Sequence, residues 1–149
     1  MAIDQQSALS ANKAIARRFI DGVFVRQDPE AVDWLAAPDF TPHTWGSMPP
    51  GREALKAAMT RVGAGVSEVE FRIEDVIAED DRVVVRLTSS GTHTGTFMGI
   101  PPSGARYSIP EIHIFRIRDG QVTEHWHEFD KLSLLQQLGA DPSKGPSKT

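Results

Sequence analysis

Tyr107-Ser108-Ile109-Pro110-Glu111-Ile112-His113-Ile114-Phe115-Arg116-Ile117-Arg118, then Asp119-Gly120, then Gln121-Val122-Thr123-Glu124-His125-Trp126-His127-Glu128-Phe129 reads as two long strands joined by a tight hairpin. Asp-Gly is a dipeptide that accepts positive φ at both central positions of such a turn, and the flanking runs are rich in β-branched and aromatic residues. A lone hairpin is at best marginally stable in water, so this one needs neighbouring strands and a helical cover. Both lie upstream. Val83, Val85 and Leu87 alternate in a strand that runs on to Thr92-His93-Thr94. Val69, Phe71 and Ile73 alternate in another that continues through Val76 and Ile77. The parity slips between Ile73 and Val76, which predicts a bulge near Glu74-Asp75. Asp80-Asp81 is the turn between these two strands. Gly95 to Gly104, with Pro101-Pro102, is a loop.

Before Gly63 the period changes from two to that of a helix. Ile15, Phe19, Ile20, Val23 and Phe24 fall on one stripe of a helix from about Ser7 or Ser10 to Arg26. Asp28-Pro29 starts a second, short helix, because aspartate caps well and proline fits the first helical position. Pro38 ends it, and Phe40 to Gly51 is predicted to be a loop with large side chains. A third helix runs from Arg52 to about Val62. At the other end Lys131 to Leu138 is a short closing helix carrying Leu132, Leu135 and Leu138, stopped by Gly139. Helices first and a meander second predict an α+β domain, residues 1–140, in which a curved antiparallel sheet wraps around the N-terminal helices as a cone-shaped barrel. Residues 141–149 are predicted to be an unstructured tail.

Composition narrows the function. The chain has 149 residues, 16 Lys+Arg and 20 Asp+Glu, hence a net charge of −4, and no cysteine. Disulfides, thiolate nucleophiles and Cys-ligated zinc are excluded. No basic cluster suits a nucleic acid, and no apolar run approaches the roughly 20 residues that span a bilayer. The expectation is a cytoplasmic protein with no nucleic-acid or membrane partner. Neither GxGxxG, a P-loop nor a Gly-x-Ser-x-Gly elbow occurs, so nucleotide cofactors and serine hydrolase chemistry have no support.

Five histidines, His43, His93, His113, His125 and His127, offer acid-base groups near neutral pH. Glu111, His113 and Phe115 share one face of their strand. On the last strand, Val122, Glu124, Trp126, Glu128 and Asp130 alternate with Thr123, His125, His127 and Phe129. Parity does not say which face is inward. Plainer roles compete for each residue. Asp130 before Lys131 suits an N-cap, His113 a core histidine and Trp126 packing, while His125 with His127 suits a solvated face or, less strongly, a metal pair.

Gly91-Thr92-His93-Thr94-Gly95, Gly99-Ile100-Pro101-Pro102-Ser103-Gly104, Glu111 to Arg116 with Asp119-Gly120, Glu124-His125-Trp126 with Asp130, and Leu134 to Gly139 together resemble the SnoaL-like polyketide cyclases. That family lies in the nuclear-transport-factor-like cone-fold superfamily. The resemblance runs from the first helix to Gly139. It implies a cone with a deep pocket, assembly through the sheet as a homodimer or homotetramer, and a small hydrophobic polycyclic, polyketide-like substrate. The implied reaction is closure of a ring by intramolecular aldol condensation without metal or cofactor. The family's acid-base aspartate follows the tryptophan of the last strand, which by similarity is Asp130. Under this reading Asp130 is the base and then, once protonated, the donor to the new alkoxide, and His113 hydrogen-bonds Asp130 or the enolate oxygen. Glu111, His43 and His93 contact the substrate, and Trp45, Phe97, Met98 and Trp126 form flat apolar walls. Two other classes remain open: a different small-molecule enzyme on this scaffold, such as a dehydratase, isomerase, epoxide hydrolase or hydroxylase-type relative, and a non-catalytic ligand-binding module.

Overall fold

The computed structural model describes residues 2–140, so the expectation for the tail 141–149 lies outside the described residues. Helix α1 spans Ala2–Phe19 and passes directly into π-helical turns over Ile20–Val25, where Arg26 N–H reaches back five residues to Asp21 O (2.9 Å). The wider winding buries Ile20, Gly22, Val23 and Phe24 together. Helix α2, Pro29–Leu35, begins as the sequence predicts, with the Asp28 carboxylate accepting from Glu30 N–H (2.9 Å). Helix α3 spans Arg52–Gly65 and α4 spans Lys131–Gln137. In α4 the buried leucines are Leu134 and Leu138, four apart, while Leu132 is exposed. Among the described residues no helix is long and apolar enough to cross a membrane.

Five strands form one curved sheet: β1 (Ala36–Pro42), β2 (Val66–Glu79), β3 (Arg82–His93), β4 (Arg106–Arg118) and β5 (Gln121–Phe129), in the order β1-β5-β4-β3-β2. The sheet is open, since β1 and β2 are its two edges. It is also mixed: β2 to β5 form the expected antiparallel meander, but β1 pairs with β5 in parallel. This corrects the expectation of a purely antiparallel sheet and of a loop beginning at Phe40. Pro38 is tolerated because β1 is an edge strand, where a missing N–H breaks no ladder bond. The Arg52 guanidinium covers this segment by donating to Ala36 O (2.8 Å).

The register of β2 on β3 slips between Ile73 and Asp75, where the parity break predicted a bulge. A second slip separates Arg116 from Ile117 opposite β5: Ile117 pairs with Val122 and Arg116 with Glu124. Val122 therefore faces inward with His125, rather than outward with Trp126. In the turn between these strands Asp119 and Gly120 both have positive φ, 51° and 76°.

The inner face of the sheet packs on α1, the π-helical turns and α3. Phe19, completely buried, stacks on Phe40 and meets Phe24 and Phe115 edge-on, with centroids 5.3 to 5.9 Å apart. Such aromatic contacts add about 0.5–1.5 kcal/mol each beyond the area they bury.

Candidate active site

The sheet's inner face and the helices enclose a cavity of about 190 Å³. Its apolar wall comes from Phe24 of the π-helical turns, Met59 and Val62 of α3, Phe71 of β2, Phe97 of the loop between β3 and β4, and Leu134 of α4. The polar groups come almost entirely from the inward positions of neighbouring strands: Ser89 on β3, Tyr107, Glu111 and His113 on β4, and His127 on β5. Register brings the last three together, because His113 pairs directly with His127, and Glu111 lies two residues before His113 on the same face.

Glu111 is buried, with His113 Nε2 at 2.9 Å and His127 Nε2 at 3.4 Å from its Oε2. Burial by itself would raise the carboxyl, but the N–H of His113 and the adjacent ring of His127 outweigh it and hold Glu111 at about 2. The carboxylate is thus a fixed negative charge. His127 Nε2 is itself buried and has no hydrogen-bond partner among the described residues.

Behind His113 a polar chain continues into the core. His113 Nδ1 lies 3.0 Å from His125 Nε2, and His125 Nδ1 lies 2.9 Å from Trp45 Nε1. Phe24 packs against both imidazoles with centroids 5.5 Å away. Burial lowers the pKa of both histidines, His125 furthest, and the rings of His113 and His127 around it act in the same direction. Across the cavity Tyr107 is pushed up to about 12, chiefly by burial, and so keeps its proton. Gly91 makes room for it, since a Cβ there would stand 2.7 Å from the Tyr107 hydroxyl.

The residues singled out from sequence divide sharply. Glu111, His113, Trp45 and Phe97 line the cavity; Asp130, His43, His93, Met98 and Trp126 do not. Asp130 is exposed, and its Oδ1 accepts from Ser133 N–H (3.0 Å) as the N-cap of α4. It lies one residue past the end of β5, and the parity it shares with Trp126 and Glu128 is that of the sheet's outer side. His43 lies on the outer side of β5, stacked on Trp126 at 4.6 Å and bonded to Glu124 at 2.9 Å. Trp126 is also flanked there by the guanidiniums of Arg82 and Arg116. His93 is completely buried and structural: its Nδ1 accepts from Ser103 N–H (3.2 Å), which leaves Nε2–H to donate to Ile100 O (3.2 Å). Met98 is exposed. Tyr107 and Ser89 were not singled out from sequence; His127 was read only among the five histidines, as part of a solvated face or a metal pair, and Phe24 only as part of the first helix's apolar stripe. Phe115 held the signal for His127, because an inward Phe115 puts His113, and through the pairing His127, on the same side.

The ligand atoms of Glu111, His113 and His127 lie within 4.8 Å of one another, a spacing compatible with a metal ion. The donor pattern points elsewhere. A metal at His113 Nε2 needs that nitrogen's lone pair, whereas Nε2 faces Glu111 as a donor.

Residues 14–138 match the family model described as SnoaL-like polyketide cyclase. The chain belongs to that family. Over 91 residues it is 37% identical to the aklanonic acid methyl ester cyclase DnrD of Streptomyces peucetius, and over 96 residues 36% identical to the nogalonic acid methyl ester cyclase of Streptomyces nogalater. The first match covers 60% of this chain and 62% of the relative, the second 62% and 69%. Among solved structures, TsrD from Streptomyces laurentii superposes with a TM-score of 0.81 at 32% identity, covering 89% of this chain and 97% of that one.

Proposed function

We propose that this SnoaL-like protein closes a ring of a polycyclic, polyketide-derived ester by intramolecular aldol addition, with His127 and Glu111 as its acid-base pair. The observation that carries this reading is a buried carboxylate 3.4 Å from an imidazole nitrogen that has no other partner, in a largely apolar cavity. The two related methyl ester cyclases supply the substrate class by similarity.

A carbon between an ester carbonyl and a second carbonyl or an aromatic ring is already acidic. His127 takes its proton on the ring nitrogen turned away from Glu111, and the C–H electron pair becomes the enolate. The ionised Glu111 then stabilises the imidazolium, as carboxylates beside catalytic histidines do. The enolate carbon attacks the ketone carbon of the same molecule, forming the C–C bond, and the resulting alkoxide recovers the proton from His127. Atoms and charge balance with no redox partner. Tyr107, kept protonated, is the donor available to the enolate oxygen. The apolar walls hold the two reacting ends together, which supplies much of the acceleration. Asp130 keeps its structural role, and His113 acts by holding Glu111. Histidines and a carboxylate facing an enclosed space favour an enzyme over a binding module.

The outer face of the sheet carries exposed Ile77 and Ile112 beside Val84, Ile114 and Trp126. A second copy of the chain covers this face in the reading put forward here.

The direct test is incubation with a methyl ester of the aklanonic or nogalonic acid type in D2O. The reading expects a product of unchanged composition, one ring richer, with deuterium exchange at the ester-flanked carbon that disappears in His127→Phe. Substrate recovered unaltered and without exchange would overturn it.

A further inference from the structure

The indole N–H of Trp45 has a consequence three groups away. Indole nitrogen is a donor only, so at 2.9 Å it obliges His125 Nδ1 to accept. A neutral His125 then carries its proton on Nε2 and donates to His113 Nδ1 at 3.0 Å. His113, having accepted at Nδ1, carries its proton on Nε2 and donates to Glu111 Oε2 at 2.9 Å. Every alternative sets two donors against each other or leaves two lone pairs facing. The direction runs one way, from Trp45 through His125 and His113 to Glu111, and it keeps both imidazoles neutral. His125 is fully buried and His113 nearly so, so water has no access to relieve a mismatch.

We propose that Trp45 is a positioning residue for the reaction: its N–H closes the buried chain at His125 Nδ1, the end opposite the Glu111 carboxylate, and so holds the His125 and His113 rings in the orientation in which Glu111 receives an N–H from one side and presents its charge to His127 on the other. The proposal rests on the acid-base reading of Glu111 and His127. It also accords with the incompatibility with a metal at His113 Nε2, since the chain from Trp45 to Glu111 spends that nitrogen as a donor. Trp45 lies in the segment after β1 that follows β5 outward, where His43 N–H donates to His125 O (2.9 Å). The parallel edge strand therefore delivers the donor to the chain's inner end.

The test combines long-range 1H–15N correlation spectra of the imidazoles with steady-state kinetics on the full chain. In the unsubstituted protein His113 and His125 should both show protonated Nε2 and unprotonated Nδ1 at neutral pH. In Trp45→Phe, which keeps an aromatic ring but no N–H, the Nε2–H tautomers should persist because the Glu111 carboxylate only accepts, but the 15N resonance of His125 Nδ1 should move downfield to the position of a lone pair without a donor, and kcat should fall roughly 10- to 100-fold with KM changed far less. His125→Gln retains an acceptor for Trp45 and a donor for His113, so it should leave His113 as the Nε2–H form and keep kcat within a few-fold. An Nδ1–H tautomer at His113 in the unsubstituted protein, or a His125 Nδ1 resonance unmoved in Trp45→Phe, would overturn the proposal even if kcat fell, because Trp45 would then act by packing alone. A shifted His125 Nδ1 resonance with undiminished turnover would also overturn Trp45 as a positioning residue. Absence of any aldol turnover in the unsubstituted protein, with the tautomers as stated, would instead count against the proposed reaction.

Discussion

Glu111 Oε2 stands 3.4 Å from His127 Nε2, each on an inward position of adjacent strands. A carboxylate held at about 2 is a poor proton acceptor but a permanent negative charge, which makes the imidazole the group that exchanges protons.

Replacing that charge should cost more than its small volume suggests. Glu111→Gln keeps the shape but removes the stabilisation of an imidazolium at His127, and kcat should fall by about 100-fold or more, the order usual for such electrostatic terms. Steady-state rates of ring closure check this, with circular dichroism confirming the fold.

Asp130→Asn should be nearly silent. Asparagine caps a helix about as well as aspartate, so turnover should stay within twofold and the unfolding free energy nearly constant, whereas Asp130→Ala should cost about 1 kcal/mol in urea unfolding. A large loss of kcat in the asparagine variant would return this residue to the chemistry.

Acid should destabilise the fold in two stages. His113 and His125 are buried neutral with lowered pKa values, while the unfolded chain takes up protons at histidine near 6.5. Their contribution is complete above pH 6.5 and is lost as pH falls below it, by up to about 1.4 kcal/mol per pH unit for each group. Glu111, lowered from 4.5 to about 2, adds a second loss only below pH 4.5. Urea denaturation at pH 7.5, 5.5 and 3.5 should show both; a flat profile above pH 5 would contradict burial of neutral imidazoles.

Gly91→Ala should disturb the site without touching it. The new Cβ would stand 2.7 Å from the Tyr107 hydroxyl and 3.2 Å from Ser67 O, so Tyr107 must move. Turnover should drop about as much as in Tyr107→Phe, roughly tenfold for one lost donor, and combining the two should add little.

Ile112→Lys tests the outer face. Ile112 is about half exposed on a surface away from the cavity, so the substitution should preserve fold and cavity yet shift sedimentation towards the single chain. Unchanged sedimentation would remove this face as a contact between copies.

The elements legible in the sequence are those set by local patterning. The hairpin from Tyr107 to Phe129, the Asp28-Pro29 helix start, the bulge after Ile73 and the cap at Asp130 each depend on residues a few positions apart. Strand β1 was not legible, because its partner lies some eighty residues later, at Val122 to His125, and Pro38 argued against a strand locally. The site was legible in part. Glu111 and His113 share a face that needs only counting, but both faces of β4 are apolar, and the slip near Val122 reverses the parity that grouped Val122 with Trp126. Trp126 therefore went outward, while His127, beside it in sequence, supplies the cavity. His93 misled differently: its burial is that of a loop anchor, tied to Ser103 and Ile100.

The π-helical winding at Ile20–Val25 makes chain length a determinant of reactivity. Such turns take up more residues per revolution than α-helical ones, and Phe24 at their end presses on His113 and His125. Excising a single amino acid from this stretch would let ordinary winding resume and shift the phenyl ring from its place against the imidazoles. An insertion or deletion there, in a stretch that supplies no ionisable group to the cavity, would thus retune the proton chemistry while leaving the helix itself unbroken.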